Sequence, residues 1–287
     1  MKAFARISLI FLSFILILPF TASKADLMDL NMVFVPASEK GDDQDYVNLI
    51  KIIGDLTGIK ITPIRVTDYN AAVEAVRANR AQIAWYGGKT YIQAVEIADV
   101  EAFAAGVRKG DSDASYFAYF VVPSDSELMT LKDVKGTKLA LNSIGSTSGD
   151  LIPQVELMKA GLSVKNKDDF ERVFYAGSHD ACLMAAINKH VDVCGMSSRN
   201  FDARVADGTL DPNQVRIIHR STPVPPPPLA YSKKLPLEIR NKIKTATLEA
   251  HKYGRIGGYG GEMSHYIEIT DSDYDLLREV DKLLNSQ

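Results

Sequence analysis

The amino-acid sequence predicts an α/β protein of two lobes, each a largely parallel sheet flanked by helices. Three observations carry that expectation. Strand-like and helix-like segments alternate along most of the chain, the pattern of a parallel sheet covered by helices on both faces. The 287 residues exceed what one small core needs, and suit two units of roughly 100–150 residues each. The alternation also restarts after a long aromatic and β-branched segment, Tyr116 to Val122, which reads as a hinge strand passing into a second unit.

The first 25 residues stand apart. Lys2 and Arg6 precede an apolar run, Ile7 to Phe20, broken only by Ser8, Ser13 and Pro19. Ser23-Lys24-Ala25 then places small residues where a signal peptidase reads, ahead of Asp26. The run is shorter than the roughly 20 apolar residues of a membrane span. A secretory signal peptide over residues 1–25, cleaved after Ala25, is therefore expected. No Cys lies near that point, which excludes a lipid-anchored form. A soluble exported chain that stays near the cell implies a periplasm.

Leu30 to Pro36 reads as a short strand, and Asp43 to Leu56 as a helix ended by Gly58. Ile59 to Val66 alternates β-branched residues, as a strand does. Asp68 can cap a helix whose apolar face is Ala72, Val73, Ala75 and Val76. Strand Ile83 to Trp85, a tight turn at Gly87-Gly88 and helix Thr90 to Ala98 follow. The polar turn Gly110 to Asp113 leads into the hinge strand. The second unit offers a helical turn at Asp133 to Gly136, strand Lys138 to Asn142 and helix Leu151 to Ala160. Strand Arg172 to Tyr175, helix Asp180 to Asn188 and strand Val191 to Met196 come next. Strand Val215 to His219 lies near the return hinge, and helices Pro236 to His251 and Asp271 to Leu284 close the chain. The expected division is 26–115 with 220–287 for the first lobe and 116–219 for the second.

Two segments fall outside that alternation. Gly257 to Gly261 sits between the closing helices, without the strand–loop–helix setting of a dinucleotide site, and reads as a flexible surface loop. Pro223 to Pro228 holds five prolines in six residues. It is either a stiff polyproline turn without contacts or the lining of a cleft.

Composition narrows the function classes. Hydrophobic residues at 46% and charged residues at 24% are globular values. A net charge of −3 argues against a nucleic-acid partner and gives no support for a membrane surface. Cys182 and Cys194 are the only cysteines. An oxidising compartment permits a disulfide between them, and the alternative is two small buried residues in a helix and the next strand. Five scattered histidines show no metal-ligand spacing, so neither a metal nor a cofactor is expected.

Asn142-Ser143-Ile144-Gly145-Ser146-Thr147-Ser148-Gly149-Asp150 is the most informative segment, because it follows a strand and opens a helix. The first turn of a helix carries unpaired N–H groups and the positive end of the dipole, where anions settle. Three adjacent hydroxyls add donors, although one alone would serve as an ordinary cap. A nucleophile elbow would need Ser where Thr147 stands, and a P-loop would need Lys where Asp150 follows Gly149. His179, just ahead of a helix, is either a further donor or a satisfied surface residue.

Val66-Thr67-Asp68-Tyr69, Ala84-Trp85-Tyr86-Gly87, Tyr116, Ser146-Thr147-Ser148-Gly149, Ala176-Gly177-Ser178-His179 and Val191-Asp192-Val193 occur in that order. In order and spacing the chain resembles the phosphate/phosphite/phosphonate solute-binding family of ABC importers. The resemblance implies a two-lobed clamshell, type II-like, with two crossing strands and a ligand trapped between the lobes. It implies that Tyr69, Tyr116, Ser146, Thr147, Ser148 and His179 hold the phosphonyl group, without catalysis. The expected partners are a small oxyanion and an inner-membrane ABC permease, with the receptor a monomer.

Two positions depart from the family pattern. Arg199 stands where members that take aminoalkyl phosphonates carry Glu, and Pro227 where they carry Asp. An Arg facing the ligand would repel an ammonium and attract a second anionic group; an Arg facing solvent would carry no such meaning. 2-Aminoethylphosphonate is accordingly expected to bind poorly. Phosphate, phosphite or a phosphonate with an added carboxylate suit the pattern better. A sensor subunit of the same fold and a receptor for another anion such as a sulfonate are the alternative readings. A hydrolase would need a nucleophile–base pair or a metal cluster, and the sequence supplies neither.

Overall fold

A computed structural model describes residues 29–39 and 42–286. The expected signal peptide lies outside the described residues. Twelve strands form two sheets, and the chain passes from one to the other and back.

The first sheet collects β1 (Asp29–Phe34), β2 (Lys60–Arg65), β3 (Ile83–Trp85), β4 (Val100–Arg108), β10 (Leu229–Ser232), β11 (Ile256–Gly258) and β12 (Gly261–Glu268). Its strand order is β11-β12-β4-β10-β3-β1-β2. Helices α1 (Val47–Thr57), α2 (Tyr69–Arg77), α3 (Gly88–Ala98), α7 (Leu237–Glu249) and α8 (Asp275–Asn285) belong to the same segments of chain. Asp68 caps α2 by accepting from the Ala71 N–H, and Gly58 ends α1 in the left-handed region. One contiguous apolar core fills this lobe, from Leu30 on β1 to Leu277 on α8.

The second sheet holds β5 (Ala118–Pro123), β6 (Lys138–Leu141), β7 (Arg172–Tyr175), β8 (Val193–Ser197) and β9 (Val215–Arg220), in the order β7-β6-β8-β5-β9. Helices α4 (Ile152–Lys159), α5 (His179–Ile187) and α6 (Ser198–Ala206) complete the lobe. Side chains alternate across a strand, and β5 follows that rule. Tyr119 and Val121 pack in one apolar cluster with Cys182 and Phe201, while Phe120 and Val122 pack in another with Leu139 and Leu157.

The sheets are less parallel than the sequence predicts. Pairs β1–β2, β1–β3, β6–β7 and β6–β8 are parallel, whereas six pairings are antiparallel. Five of the six antiparallel pairs include a strand that enters or leaves a crossing, β4, β5, β9 or β10, and the sixth is the β11–β12 hairpin. A strand arriving from the other lobe has no crossover helix and runs against its neighbour. Residues 109–117 and 221–228 make the two crossings. They pair antiparallel at Tyr116 and Val224, with the Val224 N–H donating to the Tyr116 carbonyl at 2.8 Å. Arg220 still pairs with Tyr119 inside the second sheet.

Gly257–Gly261 is not the loop its composition predicts. It turns β11 into β12, with Gly260 at φ +85° and Gly261 at +121°, and carries the buried Tyr259 at its tip. Glycine has low strand propensity, so composition alone disguised the hairpin. The proline segment is engaged through its backbone at three points, the first being the pairing of Val224 with Tyr116. The Pro226 carbonyl accepts from the Tyr274 hydroxyl, and the Pro228 carbonyl from the Tyr86 N–H. Cys182 and Cys194 are joined as a disulfide that ties α5 to β8, with both residues fully buried. Among the described residues no helix is long and apolar enough to cross a membrane.

Candidate ligand-binding site

The cleft between the lobes narrows to a small cavity of about 10 Å³. Its polar lining is Tyr69, Tyr116, Ser146, Thr147, Ser148 and His179, and its apolar lining includes Val35, Trp85, Pro227 and Tyr259. Six of the seven sequence-predicted site residues therefore meet at one point. They come from four places: the start of α2, the outgoing crossing, and two helix starts in the second lobe.

The loop after β6 is shaped by its own hydrogen bonds. Residues 147–151 form a single wide π turn ahead of α4. Ser146 caps it, its hydroxyl accepting from the Gly149 N–H at 3.1 Å. The N–H groups of Thr147 and Ser148, first in the turn, have no intrahelical acceptor. Glycine is required at two points here. A Cβ at 145 would run into Tyr69, and one at 149 would meet Asn142 and, at 2.8 Å, the His179 ring.

His179 is buried, so the surface reading fails. Its Nδ1 accepts from the Ser197 N–H at 3.2 Å, which leaves the ring proton on Nε2 as a donor. Burial lowers its pKa to about 3, against a weaker opposing pull from Asp180. The disulfide sits one turn along α5 from His179 and one strand step pair from Ser197, so it ties together both ends of that hydrogen bond. Tyr116 is held as a neutral donor, because burial raises its pKa more than Ser148, Thr147 and Arg199 lower it.

Among the described residues no carboxylate, lysine or arginine lines the cavity. The nearby charges are occupied elsewhere. Lys89, at the start of α3, donates to Asp150 at 2.6 Å and to the Ile144 carbonyl at 2.6 Å. The Lys89 N–H donates to the Thr147 hydroxyl at 2.9 Å, and the Thr90 hydroxyl to the Gly145 carbonyl at 2.8 Å. These bonds latch the first lobe onto the loop of the second. Across the cleft, the His179 N–H donates to the Ala37 carbonyl and the Glu39 N–H to Asp180.

Arg199 is not brought to the cavity, and it does not face solvent either. Its buried guanidinium donates to the backbone carbonyls of Ala114 at 2.7 Å, Gly106 at 3.3 Å and Tyr259 at 3.4 Å. It stands behind the Tyr116 ring, 5.9 Å from the centroid. Pro227, the other departure from the family pattern, does line the cavity.

Sequence reasoning missed two lining residues. Trp85 is buried with its Nε1–H unpartnered among the described residues, a donor at the wall of the cavity. A lone tryptophan flanked by alanine and tyrosine on a short strand was the available signal. Tyr259 stacks at 4.9 Å on Trp85, and its setting among glycines gave no signal. Among the described residues no cluster of three His, Cys, Asp or Glu side chains is placed to hold a metal ion.

Against this geometry, the model of one family, "ABC transporter, phosphonate, periplasmic substrate-binding protein", matches residues 32–274. The chain belongs to that family. It is 29% identical over 191 residues to the phosphonates-binding periplasmic protein of Escherichia coli, covering 65% of this chain and 55% of that protein. It is 26% identical to the phosphate-import protein PhnD of Mycolicibacterium smegmatis, across 90% of this chain and 86% of that one. In structure it matches PhnD1 of Prochlorococcus marinus, solved in complex with methylphosphonate, with a TM-score of 0.77 at 20% identity. That match covers 90% of this chain and 99% of the other. Family membership carries the periplasmic, solute-binding character of the chain and its two-lobed clamshell fold.

Proposed function

We propose that the protein captures a compact phosphorus oxyanion, namely phosphate, phosphite or a small phosphonate, and delivers it to an ABC permease. Tyr69, Tyr116, Ser146, Thr147, Ser148 and His179 supply hydrogen bonds to its oxygens, and Trp85 adds a seventh donor. One observation carries this reading. Neutral donors from both lobes and the hinge converge on a small cavity that, among the described residues, contains no acceptor carboxylate. Such donors, fixed before the ligand arrives, stabilise an anion without a counter-ion.

The ligand would join the two halves of the cleft, and closing on it would be the binding event. The reading rests on a monomer from residue 26 onward, divided at 26–115 with 220–287 and 116–219. No residue in the cavity is paired as nucleophile and base, so release is of the unchanged anion. 2-Aminoethylphosphonate remains a poor ligand in this proposal, for a reason other than Arg199: its ammonium would find no carboxylate in the cavity. The carboxylate-bearing phosphonate loses its support, because Arg199 does not line the cavity and both its terminal nitrogens donate to backbone carbonyls.

Calorimetric titration with phosphate, phosphite, methylphosphonate, 2-aminoethylphosphonate and methanesulfonate tests this. At least one of the first three should bind, and Thr147→Ala should weaken it about ten- to a hundredfold, the loss of one charge-assisted bond. Binding of methanesulfonate alone would move the protein to sulfonates. Silence from all five would refute the oxyanion site.

A further inference from the structure

We infer that Tyr259 is a partition that restricts this receptor to compact oxyanions, separating the cavity from a larger outer chamber of the same cleft. The inference rests on the oxyanion reading above and adds the size class of the ligand.

The cavity of about 10 Å³ lies far below the usual range for drug-sized ligands, roughly 300–1,000 Å³. Next to it, on the other side of Tyr259, lies a chamber of about 550 Å³ lined by Asp45, Arg108, Asp180, Asn200, Asp202 and Arg204. Tyr259 is the one residue common to both linings. Its ring is therefore the wall between a space that fits an anion head and one that would fit an organic arm.

That wall is fastened from several sides. The ring packs at 4.9 Å on Trp85 and edge-on at 6.4 Å to Tyr116. Its hydroxyl donates to the Asn200 side chain in the second lobe. The backbone N–H donates to the Tyr46 hydroxyl at 3.2 Å, and the carbonyl accepts from Arg199. Three ion pairs line the chamber, Arg108 with Asp202, Arg204 with Asp180 and Lys109 with Glu262. Its cations are thus all matched by carboxylates, so an uncharged alkyl group is the fitting probe. While Tyr259 stands, a phosphorus substituent much beyond a methyl group must displace a ring held by both lobes.

Titration of methylphosphonate and n-butylphosphonate into the wild type, Tyr259→Ala and Tyr259→Phe tests this. The wild type should bind the butyl compound about ten- to a hundredfold more weakly than the methyl one, the range for overfilling a packed site. Tyr259→Ala should bring the two within about threefold, while Tyr259→Phe, which keeps the ring, should preserve the gap. If Tyr259→Ala shows no cooperative melt, Tyr259→Leu carries the same comparison. Equal binding of both compounds by the wild type would overturn the partition and leave the oxyanion site standing. A gap that persists in the folded alanine or leucine variant would do the same. If the wild type bound neither methylphosphonate, phosphate nor phosphite, the oxyanion reading itself would fall, and the partition with it.

Discussion

The second lobe faces the cavity with hydroxyls and an imidazole, Ser146, Thr147, Ser148 and His179, whereas the first offers mostly rings and methyl groups: Val35, Ala37, Trp85 and Tyr259. Both faces are equally buried, yet their local architecture differs. The second-lobe donors sit at two helix starts, where backbone N–H groups and caps are already aimed outward. The first-lobe residues sit at strand ends and on a hairpin tip, where side chains project and backbone is paired. In the proposed reading one face binds the anion, and the other excludes water and fixes size. Recognition and closure are thus separable by mutation.

The largest effect should come from disturbing the reading face. Gly149→Ala places a methyl against Asn142 and His179, and titration should show affinity falling by up to about a hundredfold. The same substitution should leave the first-lobe core intact. A weakening of less than about threefold would mean that the loop is not the anion's seat.

A second test concerns His179. Its folded pKa of about 3 lies below the ordinary value of 6.5, so the unfolded chain binds a proton that the folded one does not. Stability from this group is complete above about pH 6.5 and is lost as pH falls towards 3. Chemical denaturation should show a loss of about 1.4 kcal/mol per pH unit within that window. His179→Gln should flatten that part of the profile. An unchanged profile would show that the imidazole is not neutral and buried in the folded protein.

The smallest effect belongs to the closing face. Lys89→Met removes the cross-cleft partner of Asp150, which keeps its bonds from Tyr175 and Gln154. Because Asp150 regains water when the lobes part, the penalty falls on the closed state. About a fivefold drop in affinity is expected, with little change in the unfolding midpoint of the ligand-free protein. A lowered ligand-free midpoint would make Lys89 a structural residue instead.

How much of this the sequence disclosed followed from what kind of contact each residue makes. Local patterns were legible: Asp68 capping α2, Gly58 ending α1, and the Ser146-Thr147-Ser148 turn between strand and helix all declare themselves within a few residues. Helix α6 and strands β4, β10 and β12 went unread, because polar or glycine-rich stretches such as Ser198–Ala206 and Gly261–Glu268 become regular only through tertiary partners. The destination of Arg199 was illegible for the same reason. Its acceptors are backbone carbonyls at Gly106, Ala114 and Tyr259, and a carbonyl leaves no trace in residue identity. Tyr69 and Tyr116 were assigned to the site only through a family resemblance, His179 was left between two readings by its own position, and the disulfide between Cys182 and Cys194 stayed open until their distance was known.

The uncharged lining of the cavity also bears on speed. An anion drifting past this cleft meets no fixed positive charge inside it, since Lys89 and Arg199 are held by carbonyls and a carboxylate. Encounter is then unsteered, and its rate should vary little with ionic strength. Selectivity among passing anions must be exercised after arrival, in how long the lobes stay shut. In the proposed reading, departure waits on the parting of the lobes, which Lys89 and Thr90 latch to the loop of the second lobe, so the lifetime of the complex is the lifetime of the closed door.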